Sequence, residues 1–190
     1  MTILRLKPAM ASHRGLRRRT NEDAVGAEYP DTPQPLMQYG ALFMVADGVG
    51  GMSDGDQASQ LAISQMTRHY YGGSSAEETS RRLLHAAEAT NRAILQKLNQ
   101  NAATTLIAAV IQEAKLTAIS VGDSLLFHIH DGEIEQLNEL DVLHDGSADD
   151  GALTKVIGYR EILETPIIER TLHPGEAILL CTDGLTRYLN

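Results

Sequence analysis

The chain has 190 residues, 43% of them hydrophobic and 22% charged, which suits a globular protein with a sizeable core. Its formal net charge of -9, from 16 Lys+Arg against 25 Asp+Glu, argues against nucleic acid and anionic membranes as partners. The single cysteine, Cys181, excludes an intrachain disulfide and a cysteine-rich zinc site, and fits a reducing cytoplasm.

Met1 to Met10 lacks the apolar run of a signal peptide, and no stretch has the length of a membrane span. Thr2 to His13 alternates loosely and predicts a strand. The basic run Arg14-Gly-Leu-Arg-Arg-Arg19 and then Thr20-Asn-Glu-Asp23 follow. Tyr29 to Gln38 holds three of the six prolines and is expected to be loop. Ala41 to Ala46 is a continuous apolar run, expected to be a buried strand, and it ends in Asp47-Gly-Val-Gly-Gly51. Asp56 to Tyr71 has helical spacing and stops at Gly72-Gly73. Ser75 and Glu78 have capping-box spacing and predict a second helix to about Asn99, with Leu83, Leu84, Ala87, Ile94 and Leu98 on its apolar face.

The pattern then changes to strands. Thr104–Ile111, Lys115–Val121, Leu125–Ile129, Glu133–Leu137, Ile162–Arg170 and Ala177–Cys181 are predicted strands, with a turn at Asp131-Gly132. Leu140 to Ala152 is polar, acidic and read as loop. Strands, two helices, then a long run of strands predict an α+β fold with mostly antiparallel sheet, as one domain over 1–190. With no Trp and two Phe, the core must rest on Leu, Ile, Val, Ala and Met.

Three apolar strands end in an aspartate beside glycine: Asp47, Asp123 and Asp183. Each carboxylate is held at the end of a rigid element, and the glycine allows close approach of backbone and ion. Hard cations such as Mg²⁺ and Mn²⁺ take oxygen ligands of this kind, and two ions about 3.5–4 Å apart can share and acidify a water that attacks phosphorus. Asp131-Gly132 and Asp145-Gly146 are read as plain turns. The seven histidines show no metal-ligand spacing and are read as structural or exposed. Cys181 is read as an inert core thiol.

Seven ordered motifs carry a resemblance: Arg18-x-x-Asn21-Glu-Asp23, Val45-Ala-Asp-Gly-Val-Gly-Gly51, Gly55-x-x-Ala58-Ser59, Thr104-Thr105, Val121-Gly-Asp-Ser124, Leu153-Thr-Lys-Val-Ile-Gly158 and Leu180-Cys-Thr-Asp-Gly-Leu185. The series resembles the metal-dependent (PPM, type 2C) protein phosphatases, most of all the bacterial serine/threonine phosphatases. The resemblance implies a four-layer α-β-β-α sandwich of two antiparallel sheets flanked by helices. It implies two or three Mg²⁺ or Mn²⁺ ions, with Asp47 bridging two and the Gly48 carbonyl binding the second. Asp183 would bind the first ion and Asp123 a third, weaker one. Glu22 and Asp23 would hold metal-bound waters, and Arg18 would clamp the substrate phosphate. The implied substrate is a protein phosphorylated by a serine/threonine kinase.

Several features depart from the family pattern. Asn138 to Ala152 is shorter than the usual flap segment, and Lys155 replaces the usual Arg. Val49 stands where eukaryotic members carry a histidine proposed as general acid. The family also continues, beyond Tyr188-Leu-Asn190, with a helix and a strand that bears an Asp-Asn motif and a further ligand. These departures leave an alternative expectation, a catalytically weak or inactive phosphoprotein-binding module of the same fold.

Overall fold

The central strands are covered by helices on one face and by a second sheet on the other, and this decides how their sequences read. The computed structural model describes residues 5–16, 18–49, 54–146 and 150–187. The strands are β1 (Asp23–Glu28), β2 (Ala41–Asp47), β3 (Leu106–Gln112), β4 (Lys115–Val121), β5 (Leu125–His130), β6 (Glu133–Gln136), β7 (Ile168–Thr171) and β8 (Ala177–Cys181). The helices are α1 (Pro33–Tyr39), α2 (Gly55–Gly72), α3 (Thr79–Leu98) and the one-turn α4 (Asp183–Thr186). Five strands pair antiparallel in the order β1-β2-β3-β4-β7, and three in the order β6-β5-β8. This is the expected α+β arrangement of two antiparallel sheets with helices.

Side-chain alternation divides the core. Leu42, Met44 and Ala46 of β2 and Leu106, Ala108 and Val110 of β3 face the helices, where they meet Ala62, Met66, Leu83 and Ile94. Phe43, Val45, Ile107, Ala109 and Ile111 face the other way and form a second core with Leu126, Ile178 and Leu180 of the smaller sheet. A strand buried on both faces needs apolar residues at every position, which is why Ala41 to Ala46 is a continuous apolar run. Among the described residues, α1, α2 and α3 all pack on the five-stranded sheet.

Several boundaries differ from expectation. Where the predicted strand Thr2–His13 falls on described residues it is not seen: residues 5–16 have no strand pairing, and Leu6 alone among them packs on the inter-sheet core. Thr2 to Leu4 lie outside the described residues, as do Gly50-Gly51 of the glycine run. The edge strand is instead β1, whose Asp-Ala-Val-Gly-Ala-Glu sequence has weak strand propensity and is recruited by pairing with β2. The proline-rich loop contains α1. Pro33 and Pro35 stand in its first turn, where a backbone N–H has no helical partner to lose.

The expected capping box at Ser75 is absent, and α3 begins at Thr79 with no side-chain cap. Its entry is tied instead by Arg82, which is fully buried and donates to the Ser74 and Glu77 carbonyls at 3.1 and 3.0 Å. The Arg82 guanidinium lies 4.9 and 4.8 Å from the Tyr39 and Tyr70 ring centres, so α1, α2 and α3 meet on one cation. The strand predicted from Ile162 is confined to Ile168–Thr171, after Pro166, which has no N–H for the ladder.

Candidate active site

Four chain segments converge at one end of the sandwich. Asp47 closes β2 and Asp23 opens β1, and the antiparallel register sets the two directly opposite each other. Asp123 lies in the turn between β4 and β5, and Asp183 is the first residue of α4, just after β8. Asp23, Asp47 and Asp183 line one groove together with Arg18 and Thr182; Asp123 is not on its wall.

Backbone geometry holds these aspartates in place. The Asp47 N–H donates to Thr105 Oγ1 at 2.9 Å, while the Asp47 carbonyl accepts from the Thr105 N–H and from Thr104 Oγ1, both at 2.9 Å. Thr105 Oγ1 is also 2.8 Å from Ser124 Oγ, so one buried hydroxyl pair links the Asp47 strand end to the residue after Asp123. The Gly48 N–H donates to the Glu22 carbonyl at 3.0 Å. A Cβ on Gly48 would collide with the Gly55 backbone, so glycine there lets α2 start against the strand end. Gly122 has φ +102°, and a Cβ on it would meet Thr105 Cγ2 at 2.6 Å. The Asp123 turn therefore depends on glycine for both conformation and space.

Further partners brace the site. Thr182 Oγ1 donates to Asp23 Oδ2 at 3.2 Å, and Asp183 pairs with Arg187 one helical turn on. Asp141 accepts the Gly122 N–H at 3.1 Å and pairs with Lys155 Nζ at 2.8 Å. Arg18 Nη1 lies 2.9 Å from Glu22 Oε2 on the exposed rim.

The carboxylates act on one another electrically. Burial and the charges of Asp23, Asp183 and Asp123 raise the Asp47 pKa to about 7, against a smaller opposing effect of Arg18. Burial, then the charge of Asp183, raises that of Asp123, while its own backbone N–H and Arg187 oppose the rise. Four converging acids answered by two arginines are a hard-oxygen donor set with an excess of negative charge, which fits divalent cations such as Mg²⁺ and Mn²⁺. No trio drawn from these four aspartates brings its ligand atoms within 4.8 Å. Among the described residues, the group that does is His128, His130 and Glu135, elsewhere in the smaller sheet.

Sequence reasoning named Arg18, Glu22, Asp23, Asp47, Gly48, Asp123 and Asp183, and the structure gathers them at this end. It assigned no role to Thr105, Ser124, Asp141, Thr182 or Arg187. The doublet Thr104-Thr105 and the Ser after Asp123 were visible as motif residues, but their mutual hydrogen bond spans 19 residues of chain. Lys155 stands out in the sequence only as a replacement for the usual Arg. Cys181 is buried, and burial pushes its thiol pKa up, in keeping with a core thiol.

The family model described as protein phosphatase 2C matches residues 19–190. The chain is 30% identical to the serine/threonine protein phosphatase PstP of Mycobacterium tuberculosis, over 95% of this chain but 36% of that protein. It is 27% identical to the serine/threonine phosphatase stp of Listeria innocua, over 91% of this chain and 75% of that one. Among solved structures, the PstP catalytic domain in complex with two manganese ions superposes with a TM-score of 0.72 at 30% identity, over 93% of this chain and 76% of that one. The chain thus spans about a third of the length of the full mycobacterial protein.

Proposed function

The chain belongs to the protein phosphatase 2C family, and from that premise we propose that it hydrolyses phosphoserine and phosphothreonine in proteins at a binuclear Mg²⁺ or Mn²⁺ site. The observation that carries the reading is the convergence of Asp23, Asp47, Asp123 and Asp183, from four separate segments, on one shared field beside Arg18.

Asp47, Asp123, Asp183 and the Gly48 carbonyl would hold the cations, and Glu22 and Asp23 would accept hydrogen bonds from waters around them. Bound divalent ions supply Lewis-acid charge and lower the pKa of the attacking water. The residues themselves perform the remaining work. Thr105 fixes the Asp47 backbone through its hydroxyl, and Gly122 and Asp141 fix the turn that presents Asp123. Arg18 stands on the rim with its side chain half exposed, where its planar fork can take a phosphate bidentately. Glu22 occupies that fork at 2.9 Å, so an arriving phosphate dianion exchanges one anion for another and leaves Glu22 free to accept from water.

Among the described residues no helix is long and apolar enough to cross a membrane, and the net charge of -9 disfavours nucleic acid. We place the protein in the cytoplasm, acting on substrates of a serine/threonine kinase. The test is Mn²⁺-dependent phosphate release from a phosphothreonine peptide by the full chain. No turnover at saturating Mn²⁺, or binding of the peptide without hydrolysis, overturns the proposal.

A further inference from the structure

A second group of ligand-type side chains lies along β5, away from the aspartates. β5 starts two residues after Asp123 and carries His128 and His130 toward its other end. The two histidines are two residues apart and therefore point to the same face of the sheet. Leu126, on the same face, packs into the core between the sheets, so His128 and His130 also face the opposing sheet. Glu135 of β6 is the cross-strand partner of His128 and shares that face. One ligand atom from each of His128, His130 and Glu135 lies within 4.8 Å of the others.

His128 and Glu135 are each held by a hydrogen-bonded partner outside the group. Glu176 Oε2 lies 2.9 Å from His128 Nε2, and Glu176 also accepts from the His173 backbone N–H at 2.9 Å. The His173 N–H, followed by the two histidine side chains, lowers the Glu176 pKa to about 2, so Glu176 stays an acceptor. In a neutral imidazole that carboxylate places the proton on Nε2 and leaves the Nδ1 lone pair unused. On His130, Nδ1 faces Asp131 Oδ2 at 3.6 Å and Nε2 faces Glu135 Oε2 at 3.8 Å. Glu135 in turn gives its other oxygen, Oε1, to Arg170 at 3.1 Å, which reaches across from β7.

The His130–Glu135 separation of 3.8 Å is too long for a hydrogen bond. Two ligand atoms on one tetrahedral ion, at bonds of about 2.0–2.1 Å, stand ~3.3 Å apart, so the His130–Glu135 pair needs to close by about half an ångström and the trio as a whole by at most ~1.5 Å. A histidine whose second nitrogen is held by a carboxylate is the usual surrounding of a histidine metal ligand. His128 is buried, His130 half-buried and Glu135 exposed, so the group runs from the inter-sheet core out to solvent, from which an ion can reach it.

We propose that His128, His130 and Glu135 form a second metal site, distinct from the aspartate centre, that binds one zinc-class divalent ion and leaves one coordination position to water. Imidazole nitrogen selects this class over Mg²⁺, whereas the aspartate centre is all oxygen. Glu176 and Arg170 position the ligands without touching the ion. Ion binding would clamp β5 to β6, and Arg170 would carry that clamp to the edge strand of the larger sheet.

The test is equilibrium dialysis and calorimetry of Zn²⁺ with the full chain in excess Mg²⁺, which occupies oxygen sites but not imidazoles. One equivalent of Zn²⁺ is expected, with shifts confined to the His128 and His130 imidazole resonances. His130→Ala and Glu135→Gln should each abolish stoichiometric binding, and Asp47→Asn should leave it unchanged. Glu135 is exposed, so Glu135→Gln keeps the test informative if His130→Ala fails to fold. Glu176→Gln should weaken binding by about tenfold to a hundredfold, as loss of an orienting partner does. No bound Zn²⁺, binding that survives both ligand substitutions, or binding lost in Asp47→Asn would each overturn the proposal.

Discussion

Asp23 and Asp47 stand directly opposite each other in the β1–β2 ladder, two carboxylates at the same end of one sheet. Asp183 and Asp123 add their charges to Asp47 from α4 and from the β4–β5 turn. The sheet register thus creates a repulsion that the isolated segments do not have.

Removing the Asp47 charge should stabilise the metal-free protein while ending catalysis. Its folded pKa of about 7 lies above the ordinary value near 4. A group raised in this way favours the folded state while protonated. That contribution is whole below about pH 4 and is lost as the pH rises through about 7. Asn mimics the protonated form. Asp47→Asn in chelator should therefore melt higher than the parent at pH 8, by on the order of 1 kcal/mol or about 2–4 °C, and equally at pH 4. A melting temperature that falls at pH 8 would show that the charge is not repelled.

Metal binding should release a proton below neutral pH. The Asp47 pKa of about 7 means that an ion competes with hydrogen ion for that carboxylate. Mn²⁺ affinity should drop by up to about tenfold per pH unit below 7 and be flat above pH 8. Calorimetry at pH 6 in two buffers of different ionisation enthalpy reads the proton directly. Identical heats in both buffers would count against Asp47 as a ligand.

Arg18→Ala should weaken substrate use with little change in stability. Its ion pair with Glu22 is exposed, and such pairs contribute about 0–1 kcal/mol. A charge-assisted contact to phosphate is worth about 1.5–3 kcal/mol, so kcat/KM for a phosphopeptide should fall roughly ten- to hundredfold. An unchanged kcat/KM would remove Arg18 from substrate binding.

Thr105→Val keeps the shape of the side chain and deletes its hydroxyl. The Asp47 N–H then loses its acceptor, and Ser124 Oγ loses its partner. The cost expected for an unsatisfied buried group is about 1–3 kcal/mol, read by urea unfolding. Mn²⁺ affinity should fall as well, because the same hydroxyl joins the Asp47 strand to the Asp123 turn. Thr105→Ser, which restores the hydroxyl, should recover both.

Much of the site was legible because its residues sit in short motifs. Asp47, Asp123 and Asp183 each end an apolar strand beside glycine, and local chemistry marks such positions. The strands Lys115–Val121 and Ala177–Cys181 were read to their observed bounds, since both stand between clear turn signals. The edge strand β1 and helix α1 escaped. One is a weak strand former recruited by its neighbour, and the other hides in a proline-rich segment whose prolines occupy a first helical turn. The histidines show how far spacing reaches. His128 and His130 share a face by their own separation, but Glu135 joins them only through the β5–β6 register, and Glu176 only through folding of the β7–β8 turn.

The sequence by itself determined the family, the class of fold and the acids that belong together, because these rest on residue type and local order. The tertiary structure decided which groups share a field. Opposition of Asp23 to Asp47, the hydroxyl bridge from Thr105 to Ser124 and the Arg82 tie between three helices all join residues far apart in the chain. Charge repulsion and hydrogen bonding act over a few ångströms of space, so their pattern exists only once the sheets have paired.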